Sequence, residues 1–404
     1  MSFRTAHAFN AAAHAFTHLF VLLYATAVLA IERAWNLPFA DLAWLSLPGF
    51  VLFGLGALPA GWLGDRWSAR GMMAVFFIGL GGASVLTGLA EGPTGLMVGL
   101  TLIGLFASIY HPVGIAWLVR IAANRGRALG INGIFGSLGT AAASLVAAAL
   151  ADAYGWRAAF IVPGLVVMLV GAAFVVACRL GYVVDTQADV KPTPQASGAD
   201  VRRAFWVLSA TMLMTGMIFQ STSVALPKLF EEEAAGLAGG SMTVVGVMVS
   251  LVYLVSAFAQ LVGGELADRW SERGTYVLVL FAQVPVIVLA AFAGDALLVV
   301  LAGLMVSLSL AGQPSENALL ARYTPARWRS RAFGAKFVLT FGVSTIGVAL
   351  VPLIHDLTGS MVPLLWVLAL AAALAGVAAL AMPGRSGAPA STLAGPDATL
   401  VPGE

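Results

Sequence analysis

The sequence predicts an all-α membrane protein of twelve transmembrane helices, arranged as two pseudo-symmetric six-helix bundles. Three observations carry that prediction. Of the 404 residues, 60% are hydrophobic and only 10% charged, with a mean hydropathy of +0.93, whereas soluble domains run about half apolar and a quarter charged. The lysines and arginines fall almost entirely on alternate connecting segments. An eleven-residue segment also recurs, slightly altered, 203 residues further along. A water-soluble globule is excluded. The 45 glycines are scattered through apolar stretches, as expected of helices whose backbones approach closely in lipid.

A helix needs roughly 20 mostly apolar residues to cross about 30 Å of hydrocarbon. In chain order the first half offers windows at 11–32, 42–63, 72–90, 95–119, 128–151 and 157–178. The second offers 204–227, 243–266, 275–293, 296–321, 332–354 and 361–381. The first window ends in Glu32-Arg33 and lacks a small-x-small cleavage site, so it reads as a retained helix rather than a signal peptide. The halves are predicted at 1–180 and 203–382. Between them, residues 181–202 form a Pro- and Asp-bearing cytoplasmic linker without apolar periodicity, and 383–404 form a disordered tail. The single cysteine, Cys178, allows neither an intramolecular disulfide nor a cysteine metal cluster and reads as inert filler.

Positive loops stay in the cytoplasm. With twelve spans, seventeen of the 21 lysines and arginines fall on one side and only Arg33, Arg157 and Lys228 on the other, Lys336 lying inside a span. A wrong span count would scramble that bias. Both termini are therefore expected on the cytoplasmic face of a bacterial-type inner membrane.

The repeat is the most specific signal. Residues 61–71 read GWLGDRWSARG and 264–274 read GELADRWSERG, identical at eight of eleven positions. A second match sets the run from Arg125 to Gly130 against that from Arg329 to Gly334, each before the fifth helix of its half. Gly61 and Gly64 would let the second helix approach a neighbour, while Asp65 can face a helix start or a basic residue across the cytoplasmic seam. Arg66 and Arg70 anchor the loop, and Asp268, Arg269 and Arg273 repeat the arrangement. The set reads as a cytoplasmic gate motif, the plainer alternative being charges that only set topology.

This G-x-L-x-D-R-x-x-x-R-G pattern resembles the signature loop of the major facilitator superfamily in position, spacing and duplication. The resemblance covers residues 11–381. It implies the major facilitator fold, with a cavity between the bundles near mid-membrane and rocking of one half against the other. Within that superfamily, the run from Ser108 to Gly114 (SIYHPVG), followed by the glycine-rich stretch to Gly139, resembles the fosmidomycin-resistance group of exporters.

Ionisable residues at membrane depth read as functional by default. His111 lies nine residues from Arg120, roughly 13 Å of helix, with Pro112 freeing a carbonyl beside it. It lines a cavity or bonds to a neighbouring helix, and Gln313-Pro314 is its repeat partner. Glu316, three residues on, is the deepest carboxylate, with Asn317 beside it. Lys336 lies at similar depth, and the two could pair as a substrate or proton site or as a static bridge. Tyr110, Asn132 and Gln220 complete the expected pathway, Gln220 with Ser221, Thr222 and Ser223 adding polarity to the seventh helix. His14 and His18 share a helix face. That spacing can hold a metal, but neither carboxylate nor cysteine adjoins them, so they read as cavity or interface residues and no metal is assigned.

On the fifth helix Gly130, Gly133, Gly136 and Gly139 recur every three residues and read as a packing seam. They lack the Gly-Pro step of the antiporter signature, and the fourth helix lacks the arginine many proton antiporters carry, two departures from proton antiport. None of Lys191, Lys228 and Lys336 follows a glycine, so there is no G-K-[ST] phosphate loop and no on-chain ATP motor. No cofactor, catalytic residue or nucleic-acid partner is expected. The reading is a monomeric secondary transporter of a small organic solute, proton-coupled efflux being the favoured form. Uptake, a membrane enzyme and a non-transporting receptor are the alternatives. An enzyme would need clustered polar residues at one interface, and a receptor should have lost His111, Glu316 and Lys336.

Overall fold

The computed structural model describes residues 2–122, 125–183, 198–324 and 329–383. Among them twelve helices are long and apolar enough to span a membrane. They are α1 Phe3–Trp35, α2 Phe39–Arg66, α3 Ala69–Gly88, α4 Pro93–Ile121, α5 Ala128–Tyr154 and α6 Trp156–Arg179, then α7 Ala199–Glu233, α8 Met242–Arg269, α9 Glu272–Ala290, α10 Asp295–Tyr323, α11 Gly334–Thr358 and α12 Val362–Leu380. The ends of α1 and α7 overrun the expected windows, because backbone hydrogen bonding continues through polar residues that hydropathy does not mark. Residues 198–202, expected in the linker, are already helical. Most of the linker and nearly all of the tail lie outside the described residues.

Each half builds its bundle from the same contacts: α1 packs on α5 and α3 on α6 in the first, α7 on α11 and α9 on α12 in the second. The halves meet along α2 with α11 and α5 with α8, two contacts that the pseudo-symmetry interchanges. Small residues set their closeness, as lipid-embedded packing requires. Gly54 of α2 faces the backbone of Gly342 on α11, and Gly246 of α8 faces the backbone of Ser144 on α5. Outward faces carry apolar side chains, with Leu169 70% and Phe292 77% exposed, a surface suited to lipid and not to water.

The repeated loop has a local logic. Ser68 and Ser271 cap α3 and α9, each Oγ accepting the N–H of the glycine three residues on, at 3.0 and 2.8 Å. Gly71 and Gly274 lie under the rings of Trp67 and Trp270, where a β-carbon would sit only 3.0–3.1 Å from the ring. Arg70 donates to the carbonyl of Val183 beyond α6, and Arg273 to that of Leu380 at the end of α12. Each arginine thus ties the third helix of its half to the end of the sixth.

Two spans are interrupted by π turns, at Tyr110–Gly114 in α4 and Val338–Val343 in α11. In α4 the turn contains Pro112, which has no N–H to continue the ladder. α2 is broken into Phe39–Trp44, Leu47–Leu55 and Ala57–Arg66. Such breaks aim side chains that a straight helix would not.

The ion pairs joining the halves cluster at one end. Lys228 Nζ reaches Glu32 at 3.1 Å and Glu231 at 2.9 Å, under the Phe39 ring. Arg33 pairs with Glu231, and His355 bonds Glu232 at 2.9 Å. Nearby, Asp152 of α5 accepts from the backbone N–H and hydroxyl of Thr243 at the start of α8.

Candidate functional site

Between the halves lies a cavity of ≈ 410 Å³. From the first half His14 and His18 of α1, His111 of α4, and Gly133 and Gly136 of α5 face it. From the second come Gln260 of α8, Gln283 of α9, the Gln313, Glu316 and Asn317 run of α10, and Lys336 and Phe341 of α11. The walls are mainly apolar with a few converging polar groups, the usual make-up of a ligand pocket.

Glu316 and Lys336 form a buried pair across α10 and α11, Nζ to Oε1 at 2.6 Å, with side chains 8% and 11% exposed. Lys336 also donates to Asn317 Oδ1 at 2.6 Å. The other carboxylate oxygen of Glu316 accepts from the Tyr276 hydroxyl at 2.8 Å and from Thr215 at 3.3 Å. A carboxylate taken out of water needs such a shell, since an unpaired charge there costs several kcal/mol.

The first half contributes a histidine cluster. The Nε2 atoms of His14 and His18 stand 3.2 Å apart, and one ligand nitrogen of each of His14, His18 and His111 lies within 4.8 Å of the others. His14 Nδ1 is 2.7 Å from the carbonyl of Asn132, which can only accept, so that nitrogen carries the proton. Tyr110 stacks on His14, its hydroxyl accepting from Asn132 Nδ2 at 2.8 Å and lying 3.0 Å from both Asn132 Oδ1 and Asn10 Oδ1, to which it can donate. His111 is 6% exposed, and its Nδ1 finds no hydrogen-bond partner among the described residues.

Of the residues named from the sequence, the structure brings His14, His18, His111, Gln313, Glu316, Asn317 and Lys336 to the cavity wall. Tyr110 and Asn132 stand behind it, supporting His14. Gln220 is a correction: it is 1% exposed inside the second bundle, and Ser221 and Ser223 beside it bond Gly347 and Tyr253. Helix phase is the reason. The cavity face of α7 is Thr215, Gly216 and Phe219, a face centred roughly a quarter-turn round the helix from Gln220. The glycine seam is also half corrected: Gly136 and Gly139 touch His14 and Ala15, whereas a β-carbon at Gly130 or Gly133 would meet nothing. Gln260, Gln283 and Tyr276 were not read from the sequence, though each is a polar or amphipathic side chain inside an apolar window and that signal was available.

In the gate motif, Gly61 and Gly64 pack against Pro112 and Val113 of the π turn. Asp65 and Asp268 are exposed and bonded to nothing among the described residues. Arg66 lies over Trp62, and Arg269 pairs with Glu265 on its own helix at 2.6 Å.

Fold and site together define a multi-pass membrane protein of two six-helix bundles, with a mainly apolar cavity carrying a few polar groups at their seam. The sequence profile of the Major Facilitator Superfamily matches residues 11–244 and 208–401. The chain belongs to that family. It is 27% identical over 267 residues to a probable 4-methylmuconolactone transporter of Cupriavidus pinatubonensis, covering 62% of this chain and 59% of that protein. With the 4-hydroxybenzoate transporter PcaK of Pseudomonas putida it shares 23% identity, over 78% of this chain and 77% of that one. The puromycin resistance protein pur8 of Streptomyces alboniger is 27% identical over 57% of this chain. The chain spans 59% and 42% of the first two curated relatives it matches by similarity, the muconolactone transporter and pur8. Among solved structures, an inward-facing bacterial homologue of the human lysosomal transporter Spinster superposes with a TM-score of 0.76 at 15% identity, over 94% of this chain and 97% of that one. At that identity the likeness speaks for fold alone. The muconolactone, 4-hydroxybenzoate and Spinster-like proteins are named as transporters, and this chain takes no catalytic assignment.

Proposed function

We propose that this protein is a secondary transporter that carries a small organic solute through the seam cavity by alternating access, with proton movement linked to the Glu316–Lys336 pair. The observation that carries the reading is that pair: a carboxylate and an amine, both nearly buried, face the cavity between the two halves. A proton delivered to Glu316 would cancel its charge and release Lys336 Nζ, which could then hold the carboxylate of an organic acid. Phe219, Phe337 and Phe341 supply an apolar wall for a ring. The relatives named for 4-methylmuconolactone and 4-hydroxybenzoate favour this class of solute.

The positive-charge bias supports cytoplasmic termini in an inner membrane, which puts the Lys228 cluster on the outer face. The conformation is then sealed outside, and the unengaged Asp65 and Asp268 fit a cytoplasmic gate that has parted. Efflux of a larger cationic or neutral compound is a second reading, favoured by the likeness to the puromycin resistance protein. Proteoliposomes under an imposed pH gradient, supplied with labelled 4-hydroxybenzoate or puromycin, test both. Gradient-driven movement of the acid, lost in Glu316→Gln, is the expected result. Equal movement with and without the gradient would remove the proton from the mechanism, and movement of puromycin alone would select efflux.

A further inference from the structure

His14, His18 and His111 have a second property that the solute pathway does not use. We propose that these three histidines form a binding site for a single divalent transition-metal ion, zinc being the best fit, with the fourth coordination position open to the cavity.

The geometry argues for coordination over simple packing. Zinc holds imidazole nitrogen at about 2.0–2.1 Å, which sets the edge of its coordination tetrahedron at about 3.3 Å. The His14 and His18 Nε2 atoms are already 3.2 Å apart. Two N–H groups cannot face each other at that distance, so at least one of the two presents its lone pair. His14 is the one whose tautomer the structure assigns: with Nδ1–H donated to the Asn132 carbonyl, its Nε2 is left bare and points at His18. A ring nitrogen donated to a backbone carbonyl is the usual support behind a metal-bound histidine, because it fixes both tautomer and ring orientation. Stacking of Tyr110 on the same ring adds a second restraint.

His111 completes the set from a different helix. Its ring packs edge-on against Phe53, Phe337 and Phe341, which hold it in place without consuming a nitrogen. A buried imidazole nitrogen with no partner loses the hydrogen bonds it had in water, and His111 Nδ1 is such a nitrogen among the described residues. The three nitrogens lie within 4.8 Å of one another, and coordination would draw them in to the tetrahedral edge by small movements of the rings. Three neutral nitrogens without sulfur or a carboxylate suit zinc and its neighbours in the first transition row better than magnesium or calcium, which take oxygen. Gly133 and Gly136 face the same space and keep it clear of side chains, so the remaining position is left for water or a donor atom of a solute.

The inference stands apart from the transport reading, and its test reads binding alone. Full-length protein, stripped with a chelator in detergent, is titrated with zinc chloride against a chromophoric competitor. One zinc per chain is expected, with His14→Gln, His18→Gln and His111→Gln each weakening binding by more than about 100-fold. His355→Gln, at the far rim, should leave the affinity unchanged. The unaltered protein loaded with cobalt should give the intense visible spectrum of a four-coordinate nitrogen site, a readout that does not depend on any variant folding. Zinc affinity untouched by the three substitutions, no bound zinc at all, or the faint spectrum of six-coordinate cobalt would each overturn the site.

Discussion

At the residue scale, the Glu316–Lys336 pair is where charge and burial coincide, and it is the pair on which the proposed function rests. Removing one member of a buried pair typically costs about 3–5 kcal/mol, because the survivor is left charged and unmatched. Lys336→Ala alone should therefore lower thermal stability clearly and abolish solute movement. Combined with Glu316→Gln, it should regain much of the stability, read by thermal unfolding of purified protein. Loss in the double variant equal to the sum of the two single losses would mean that the groups act independently. This pair was legible from the sequence, since counting residues from the nearest interfacial arginine gives depth along each helix. The histidine cluster was only half legible. The spacing of His14 and His18 puts them on one face, but nothing in a single sequence says that α4 crosses α1 at that height, and His111 joins them only through tertiary packing. Gln220 misled for a related reason: polarity marks an interior position without telling which interior.

At the scale of elements, the twelve spans were legible because apolar length is a direct consequence of bilayer thickness. The internal breaks were less so. Pro112 announced a disturbance in α4, yet α11 carries its π turn over Val338–Val343 with no proline in it, and packing against α2 and α7 is what the sequence could not display. The contact of Gly54 with the Gly342 backbone joins these irregular segments. Gly54→Leu would drive a side chain into that backbone. It should leave insertion and helix content intact while preventing the halves from adopting this conformation, with transport falling to background. Spectroscopic distances between labels on α2 and α11 would increase by several ångström, whereas unchanged distances would show that the seam has slack. The duplicated loop explains itself at this scale as well, since its serine caps a helix, its glycine accommodates a tryptophan ring, and its last arginine ties two helices together.

At the scale of the whole molecule, the seventeen-to-three charge bias makes a prediction about orientation. Reporters fused after Gly126 or within residues 184–197 should behave as cytoplasmic and those inserted near Glu232 as external; an external reading from the segment between the halves would break the twelve-span topology. The cluster around Lys228 then becomes the outer seal. Lys228→Gln would leave Glu32, Glu231 and Glu232 facing one another without their shared cation. Their repulsion should shift the population toward the outward-open form, seen as faster labelling of a cysteine placed on the cavity wall from outside. Labelling at the unaltered rate would reduce the cluster to a bystander.

That seal also bears on time. A carrier of this design must part Arg33 and Glu32 from Glu231 and Lys228 and then re-form the contacts once per turnover, and because Lys228 is only 8% exposed, salt screens its attraction to Glu32 less than that of the exposed Arg33 to Glu231. The rim, some distance from any solute, would then act as the clock of the cycle. Solute binding would decide what is carried, and the lifetime of four charged side chains would decide how often. Weakening the rim slightly, for example with Arg33→Gln, should quicken exchange before it causes leakage, so the fastest variant of this protein need not have any change in its cavity.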